Sequence, residues 1–490
     1  MSLVGEAMLP EGRSGSTGSP PTGAPSGRTV AIVGGGLAGI AAAVRLVEAG
    51  HRPIVIETRR KLGGRATSFV DPRTDELIDN CQHVLMGCCT NLVDLYERLG
   101  VLGEIRWDRT INWANAPSAP DRMTPGWLPC PGHFSGSFLR MRLLSLADKI
   151  AVARAMWRLI RMGRAGRLAW RDRSFRAFLD QMRQPASTIE RFWEPVVISA
   201  CNLSVERVCA EAAMQVFQEG FLGSRWASAM GVAQVPLIDL YDPATALIAA
   251  RGGEIRLGLS AKAIAFDGTR VTGVVTDEGT VEAAAVIAAV PPDRLDRLLS
   301  VALRRADRRL EALDRFEFSP ILGVHLRFSG TILDVPHLVL PGRATQWLFA
   351  KGVDEQGRQH IHAVISGADA WMELDEAAIV ERVLADIRAC LPGAENLRPV
   401  TWRTVKEKRA TFALLPGIDA LRPPPAPCFA PGPGVANLFL AGDWCATGWP
   451  ATMEGAVRSG YAAAGALCGS EATVPDLPMA PLARLLGLRR

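Results

Sequence analysis

The run Thr29-Val30-Ala31-Ile32-Val33-Gly34-Gly35-Gly36-Leu37-Ala38-Gly39, with Glu57-Thr58 closing the next apolar stretch, decides the fold. Thr29 to Val33 has the unbroken apolar character of a strand buried on both faces of a parallel sheet. Leu37 to Ala49 has helical character and stops at Gly50, and Pro53 to Glu57 is a second strand. Gly34, Gly36 and Gly39 therefore fit GxGxxG between a strand and a helix. The first permits a tight turn, the second brings a pyrophosphate up to the backbone, and the third lets helix and strand pack closely. The helix N-terminus at Leu37 and Ala38 has unsatisfied N–H groups that face the phosphates. Glu57, at the end of the second strand, suits ribose hydroxyls and disfavours a 2′-phosphate. This is a βαβ dinucleotide-binding unit.

Further strand signals lie far along the chain, at Glu254–Leu257, Lys262–Phe266, Val271–Thr276, Val281–Val290 and Leu438–Ala441, and Met453 to Leu467 reads as a helix rich in Ala and Gly. The expected fold is α/β: a Rossmann-type nucleotide domain with an interleaved α+β substrate domain. The nucleotide domain is assigned to 28–110, 240–300 and 434–470, and the substrate domain to 111–239 and 301–433. Residues 1–27, rich in Gly, Ser, Pro and Thr, are expected to form a disordered tail, and 471–490 a C-terminal tail.

Leu62-Gly63-Gly64-Arg65 follows Glu57 closely. It resembles the second glycine-Arg motif of the glutathione-reductase and amine-oxidase type flavoproteins, which plain NAD dehydrogenases lack. Leu438-Phe439-Leu440-Ala441-Gly442-Asp443, then Met453-Glu454-Gly455-Ala456, resembles the third element of that superfamily. There the Asp meets the ribityl or phosphate region, and the following helix points its N-terminus at the flavin pyrimidine edge. A reduced flavin carries negative charge at that edge, which helix N–H groups stabilise. The implied cofactor is FAD, bound without a covalent bond. Ser260-Ala261-Lys262 resembles the strand whose backbone, at Ala261, grips the adenine. Cys445 follows the Gly-Asp pair, whereas the flavin-linked cysteine of some amine oxidases precedes it, so a thioether is rejected.

The run Ile78-Asp79-Asn80-Cys81-Gln82-His83-Val84-Leu85-Met86-Gly87 resembles the signature of the squalene-associated flavin desaturases, or hydroxysqualene dehydroxylases, of which phytoene desaturases carry a looser version. The stretch from Ala441 to Gly460 also resembles that family. Cys81 replaces a Gly of the pattern, Cys445 a Thr, and Trp449 a smaller apolar residue. Cys81 puts the local turn in question if the position needs positive φ, and Trp449 would narrow the flavin pocket. The resemblance implies reductive dehydroxylation of an allylic triterpenoid alcohol, hydroxysqualene, to squalene in bacterial-type hopanoid biosynthesis, with an electron donor that the sequence does not identify. His83 and Gln82 are the candidates for polar groups near the reacting carbon, although shaping of the flavin loop is the competing role for both. A polyprenoid desaturase is the alternative within the class. A non-catalytic prenyl-lipid binding protein of the same fold is the alternative outside it. Amine oxidation calls for a flavin-facing Lys, and the six Lys residues offer no evident candidate.

Composition narrows the classes. A net charge of +5, from 55 basic and 50 acidic residues, is too mild to argue for nucleic acid. Ten cysteines without a CxxC support neither a zinc site nor a dithiol centre, and fit reduced thiols in a cytoplasmic protein. No run is long and apolar enough to span a bilayer. Residues 139–176, however, interleave eleven Arg and Lys with apolar residues against only Asp148 and Asp172. Peripheral contact with the inner face of the cytoplasmic membrane and a solvated face over a core helix are both open readings.

Overall fold

The computed structural model describes residues 27–394, 396–430 and 432–489; the expected disordered tail lies, up to residue 26, outside the described residues. Five parallel strands form the central sheet, in the order Glu254–Leu257, Arg52–Glu57, Thr29–Val33, Ala285–Ala288, Leu438–Leu440. Three segments far apart in the chain thus build one sheet. The first strand is central, and Val30, Ala31 and Ile32 are wholly buried. The helix Leu37–Glu48 crosses over from it and packs on Met453–Cys468. That contact needs Gly460, where a Cβ would stand 2.2 Å from the Ala38 carbonyl oxygen.

The apolar run from Val281 to Val290 forms two strands instead of one. Gly279–Glu282 pairs antiparallel with Val271–Thr276, and Ala285–Ala288 enters the parallel sheet. The chain changes sheets at Ala283-Ala284, whose N–H groups donate to the carbonyls of Thr272 and Thr29. From Ala283 to Val290 the sequence is unbroken apolar residues across this switch, so periodicity does not reveal it.

A second, seven-stranded sheet runs Thr401–Phe412, Phe318–Phe328, Gln359–Ser366, Trp347–Val353, His337–Val339, Ile111–Asn115, Ser118–Met123. Strands from both segments assigned to a substrate domain meet in it. Met230–Ala233 behaves differently: it lies between Val84–Met86 and Ile105–Asp108, so the 111–239 segment returns to the nucleotide side before its assigned boundary. Residues 471–489 are held down as well. Asn91 bonds Val474 in both directions, Arg458 pairs with Asp476, and Ala483 and Leu488 are buried.

Candidate cofactor site and the adjoining histidine cluster

Intrahelical bonding in Leu37–Glu48 starts with the Ile40 N–H donating to Gly36 O, so the N–H groups of Leu37, Ala38 and Gly39 are the unsatisfied first-turn donors. Gly36 caps the helix without a side chain, and no acid stands in the first turn. The free N–H groups of this first turn therefore point positive charge outward. At Gly39 a Cβ would lie 1.9 Å from Gly34 O, so only Gly lets the helix begin this close to the strand.

Glu57 ties the turn together. One carboxylate oxygen accepts from the Gly35 N–H at 2.7 Å and the other from the Arg59 N–H at 2.8 Å. Each keeps a lone pair for a ribose hydroxyl. Thr58 beside it is exposed. The Leu259 N–H donates to Glu57 O, which brings the strand beginning at Ala261 alongside. Gly63 donates to Gly35 O at 3.0 Å, and Gly64 lies so near Gly36 that a Cβ would approach its Cα to 3.0 Å. The second motif is thus laid directly on the first. Arg65 then reaches across the chain: one guanidinium nitrogen donates to Asp443 Oδ1 at 2.6 Å and another to Ala410 O at 3.0 Å. Gly442 is fixed by its N–H donating to Ser459 Oγ, and Trp444, fully buried, donates to Val290 O. Arg422, which no sequence signal marks, holds the next turn by donating to the carbonyls of Asp443, Cys445 and Trp449.

The helix Met453–Cys468 presents fewer free groups than its sequence suggests. Thr452 Oγ1 accepts from the Gly455 N–H, and the Ala456 N–H donates to Thr452 O. The Glu454 side chain faces away from the cofactor loops, wholly buried. Its carboxylate accepts from the Asn91 and Leu92 N–H groups, from Asn91 Nδ2 and from Arg458 Nε. This leaves the Met453 and Glu454 N–H groups, not the Glu454 carboxylate or the Ala456 N–H, as the donors of this terminus. Burial pushes the Cys445 thiol up, so it offers no thiolate to a flavin.

Asn80 joins the Ile78–Gly87 segment to this site: its Nδ2 donates to Arg65 O at 2.8 Å and its Oδ1 accepts from the Thr67 N–H. Cys81 follows without positive φ, so the missing Gly costs the backbone nothing here. Burial pushes its thiol up to about 12. Lys351 is the lysine that the sequence does not single out; its Nζ lies 3.1 Å from Gln82 Oε1 and 3.4 Å from Asp79 Oδ2. His83 Nδ1 is 3.0 Å from Cys81 O and so carries the hydrogen, leaving Nε2 as an acceptor. Burial lowers the His83 pKa.

Three more histidines, on the seven-stranded sheet, adjoin this segment. His325 Nε2 donates to Asp79 O and its Nδ1 accepts from His360 Nε2, both at 3.0 Å; its ring stacks on His362 at 3.9 Å. No pattern in the sequence joins residue 325 to 360 and 362; strand register does. Lys351, His325 and His360 line a cavity of about 560 Å³. A smaller cavity of about 200 Å³ runs from Arg164 and Leu168 to Gly448 and Trp449, which places Trp449 on its wall.

Burial lowers His325 to about 4 and His360 to about 2, so both are neutral in the fold. The unfolded chain takes up protons near pH 6.5, so this stability is fully present above 6.5 and is lost as pH falls toward 4. Lowering the pH from 7.5 to 5 is expected to cost about 2 kcal/mol for each of the two. Thermal melts across this range test it: His360→Asn should flatten the profile, and an unchanged slope would refute the assignment.

Two helix N-termini, paired glycine loops and the Arg65–Asp443 pair fit FAD, and together they define an FAD-dependent oxidoreductase. The chain matches the flavin-containing amine oxidoreductase family over residues 37–468 and belongs to it. It is 28% identical to the hydroxysqualene dehydroxylase of Rhodopseudomonas palustris over 449 residues, 89% of this chain and 97% of that protein. It is 27% identical to the zeta-carotene desaturase of Synechocystis over 497 residues, 92% and 99% of the two chains. Among solved structures, cyclohexylamine oxidase of Brevibacterium oxydans shares the fold, with a TM-score of 0.65 at 18% identity over 90% of this chain and 99% of that one.

Proposed function

We propose that this enzyme removes the hydroxyl of an allylic triterpenoid alcohol reductively, taking hydroxysqualene to squalene. The observation that carries the reading is the Asp79–His83 segment. It resembles the hydroxysqualene dehydroxylases, is bonded through Asn80 to the loop of Arg65, and has its polar side chains held by Lys351. The similarity to the Rhodopseudomonas palustris protein extends along nearly the whole chain.

The reaction breaks the C–O bond, with its electron pair leaving on oxygen, which takes a proton from the Lys351 ammonium, itself reprotonated from the cavity it lines, and departs as water. A hydride makes the new C–H bond, so the substrate gains two electrons. FAD, which the Gly36 and Gly63 loops and the Arg65–Asp443 pair would hold, would supply that hydride in its reduced form, with an external donor as the source of its electrons. His83 Nε2 accepts the substrate O–H and fixes the alcohol. Gln82 is oriented by Lys351, the nearest ammonium group, whose charge favours departure of the oxygen. The apolar packing around Cys81, Phe349 and Val364 excludes water from a developing allylic cation.

Anaerobic mixing of photoreduced enzyme with hydroxysqualene is expected to yield squalene as the flavin reoxidises. Conversion of a polyprenoid to a more unsaturated product would replace this reading with the desaturase reading, which the likeness to zeta-carotene desaturase supports. Protein that never binds flavin would favour the lipid-binding alternative, against which Arg65 and Asp443 already weigh. His83→Ala is expected to lower turnover by about 10²–10⁴-fold with FAD retained. Turnover within two-fold of the parent would leave His83 with a structural role only.

A further inference from the structure

The helix Leu146–Leu168 has two apolar faces, and the core accounts for only one. Val152, Ala155 and Leu159 point inward and are buried. On the opposite side Leu146, Ile150 and Trp157 are 70%, 56% and 49% exposed. At 3.6 residues per turn these three, with exposed Ala153 between them, fall within an arc of about 60°. Arg154, Arg158 and Arg161 occupy the adjoining flank, all exposed. Among the described residues no carboxylate pairs with any of the three. Asp148, the only acid in the helix, is buried and turned inward to Ser145 and Ser187.

Neighbouring elements extend the same surface. Lys149 Nζ donates to Leu139 O, which sets Leu139, 63% exposed, beside the N-terminal end of the stripe. At the other end Gly163 breaks the helix with φ +58°, and the chain end docks into the break. The Arg164 N–H donates to Arg489 O and Arg161 Nη1 donates to Leu486 O, placing Leu485, 80% exposed, next to Arg161. A soluble helix normally turns charge outward on the face opposite its core. Here that face is a ridge of large apolar side chains edged with cations.

We infer that this ridge is an interfacial anchor, lying in the plane of an anionic bilayer with Leu146, Ile150 and Trp157 at the acyl boundary and Arg154, Arg158 and Arg161 on lipid phosphates. Apolar area and unpaired cations on one helix are what such a surface recognises. No helix among the described residues is long and apolar enough to cross a membrane, so the contact is one-sided. The ~200 Å³ cavity lined by Arg164 and Leu168 lies just past the ridge and also touches the loop after Gly442-Asp443.

The test is co-sedimentation of the full-length, FAD-loaded chain with phosphatidylcholine vesicles, with and without about one-third phosphatidylglycerol. Binding is expected only to the anionic vesicles, with a blue shift of Trp fluorescence that Trp157→Leu removes. Changing Arg154, Arg158 and Arg161 to Glu should lower partitioning about five-fold per residue or more at low salt. Ile150→Glu with Trp157→Glu should abolish binding while the flavin spectrum and melting temperature stay unchanged. Equal binding to neutral vesicles, or binding that survives the Ile150/Trp157 double variant, would overturn the inference. So would a parent dimer that this double variant converts to monomer without any vesicle binding, since a second copy would then cover the ridge. No substrate is present in the assay, so its outcome is separate from that of the dehydroxylation experiment.

Discussion

Asp443→Ala is expected to purify as colourless protein, with FAD affinity reduced by about two to three orders of magnitude. Asp443 is 5% exposed, and its carboxylate sits 2.6 Å from the Arg65 guanidinium. Removing it leaves the Arg65 guanidinium with Ala410 O as its remaining partner and no carboxylate beside it. Asp443 is buried but Arg65 keeps 29% of its side chain exposed, so loss of the charged bond costs about 1.5–3 kcal/mol, and a bound cofactor would lose the Asp443 carboxylate as well. Loss of cofactor then removes the stabilisation that ligand binding gives the folded state. Equilibrium dialysis with FAD and a thermal melt with and without FAD provide the check. A yellow protein with the parent melting temperature would contradict this role for the Arg65–Asp443 pair. Asp443→Asn keeps an acceptor for Arg65 and should retain part of the affinity, which separates a local electrostatic loss from misfolding.

Glu454→Ala is expected to be comparably severe for a different reason. The carboxylate is wholly buried and joins three chain segments: it caps the first turn of Thr90–Arg98, meets Asn91 Nδ2, and pairs with Arg458, which in turn pairs with Asp476. Alanine would strand two backbone N–H groups away from water and leave Arg458 with Asp476 and Thr90 as its remaining partners, at a cost of about 2–5 kcal/mol. Denaturant unfolding should show that loss. The surviving folded fraction should still bind FAD, since the side chain faces away from the Arg65 and Gly36 loops. Glu454→Gln, which keeps acceptors for the N–H groups, should recover part of the stability. Parent-like stability of the alanine variant would overturn this reading, and selective loss of flavin would return Glu454 to the cofactor site.

These two residues illustrate what local sequence can and cannot reveal. Asp443 follows a buried strand and a Gly with φ +148°, so its position at a strand's carboxyl end is a local matter. Glu454 occupies an equally suggestive place as the second residue of the following helix, and its motif gives it the same reading. Which way a helical side chain faces depends on the partner helix. Here Thr90–Arg98 supplies unsatisfied N–H groups just where the carboxylate can reach them. Ala456 follows the same pattern, its N–H being taken by Thr452 O. Likewise the run Val281–Val290 is apolar after Glu282, and no period in it shows that Ala283-Ala284 carries the chain from one sheet to another.

The βαβ start, the glycine loops, the Gly442-Asp443 turn and hence the flavin were determined by sequence alone, because each depends on backbone conformations that only particular residues within a short window permit. The cluster of His83, His325, His360 and His362 around Asp79, the Lys351 contact with Gln82, and the outward apolar ridge of Leu146–Leu168 were decided only in three dimensions. They join residues hundreds of positions apart, or depend on which face of a helix the core has already taken. Long-range register and burial fix such juxtapositions, and neither is a property of any short stretch of chain.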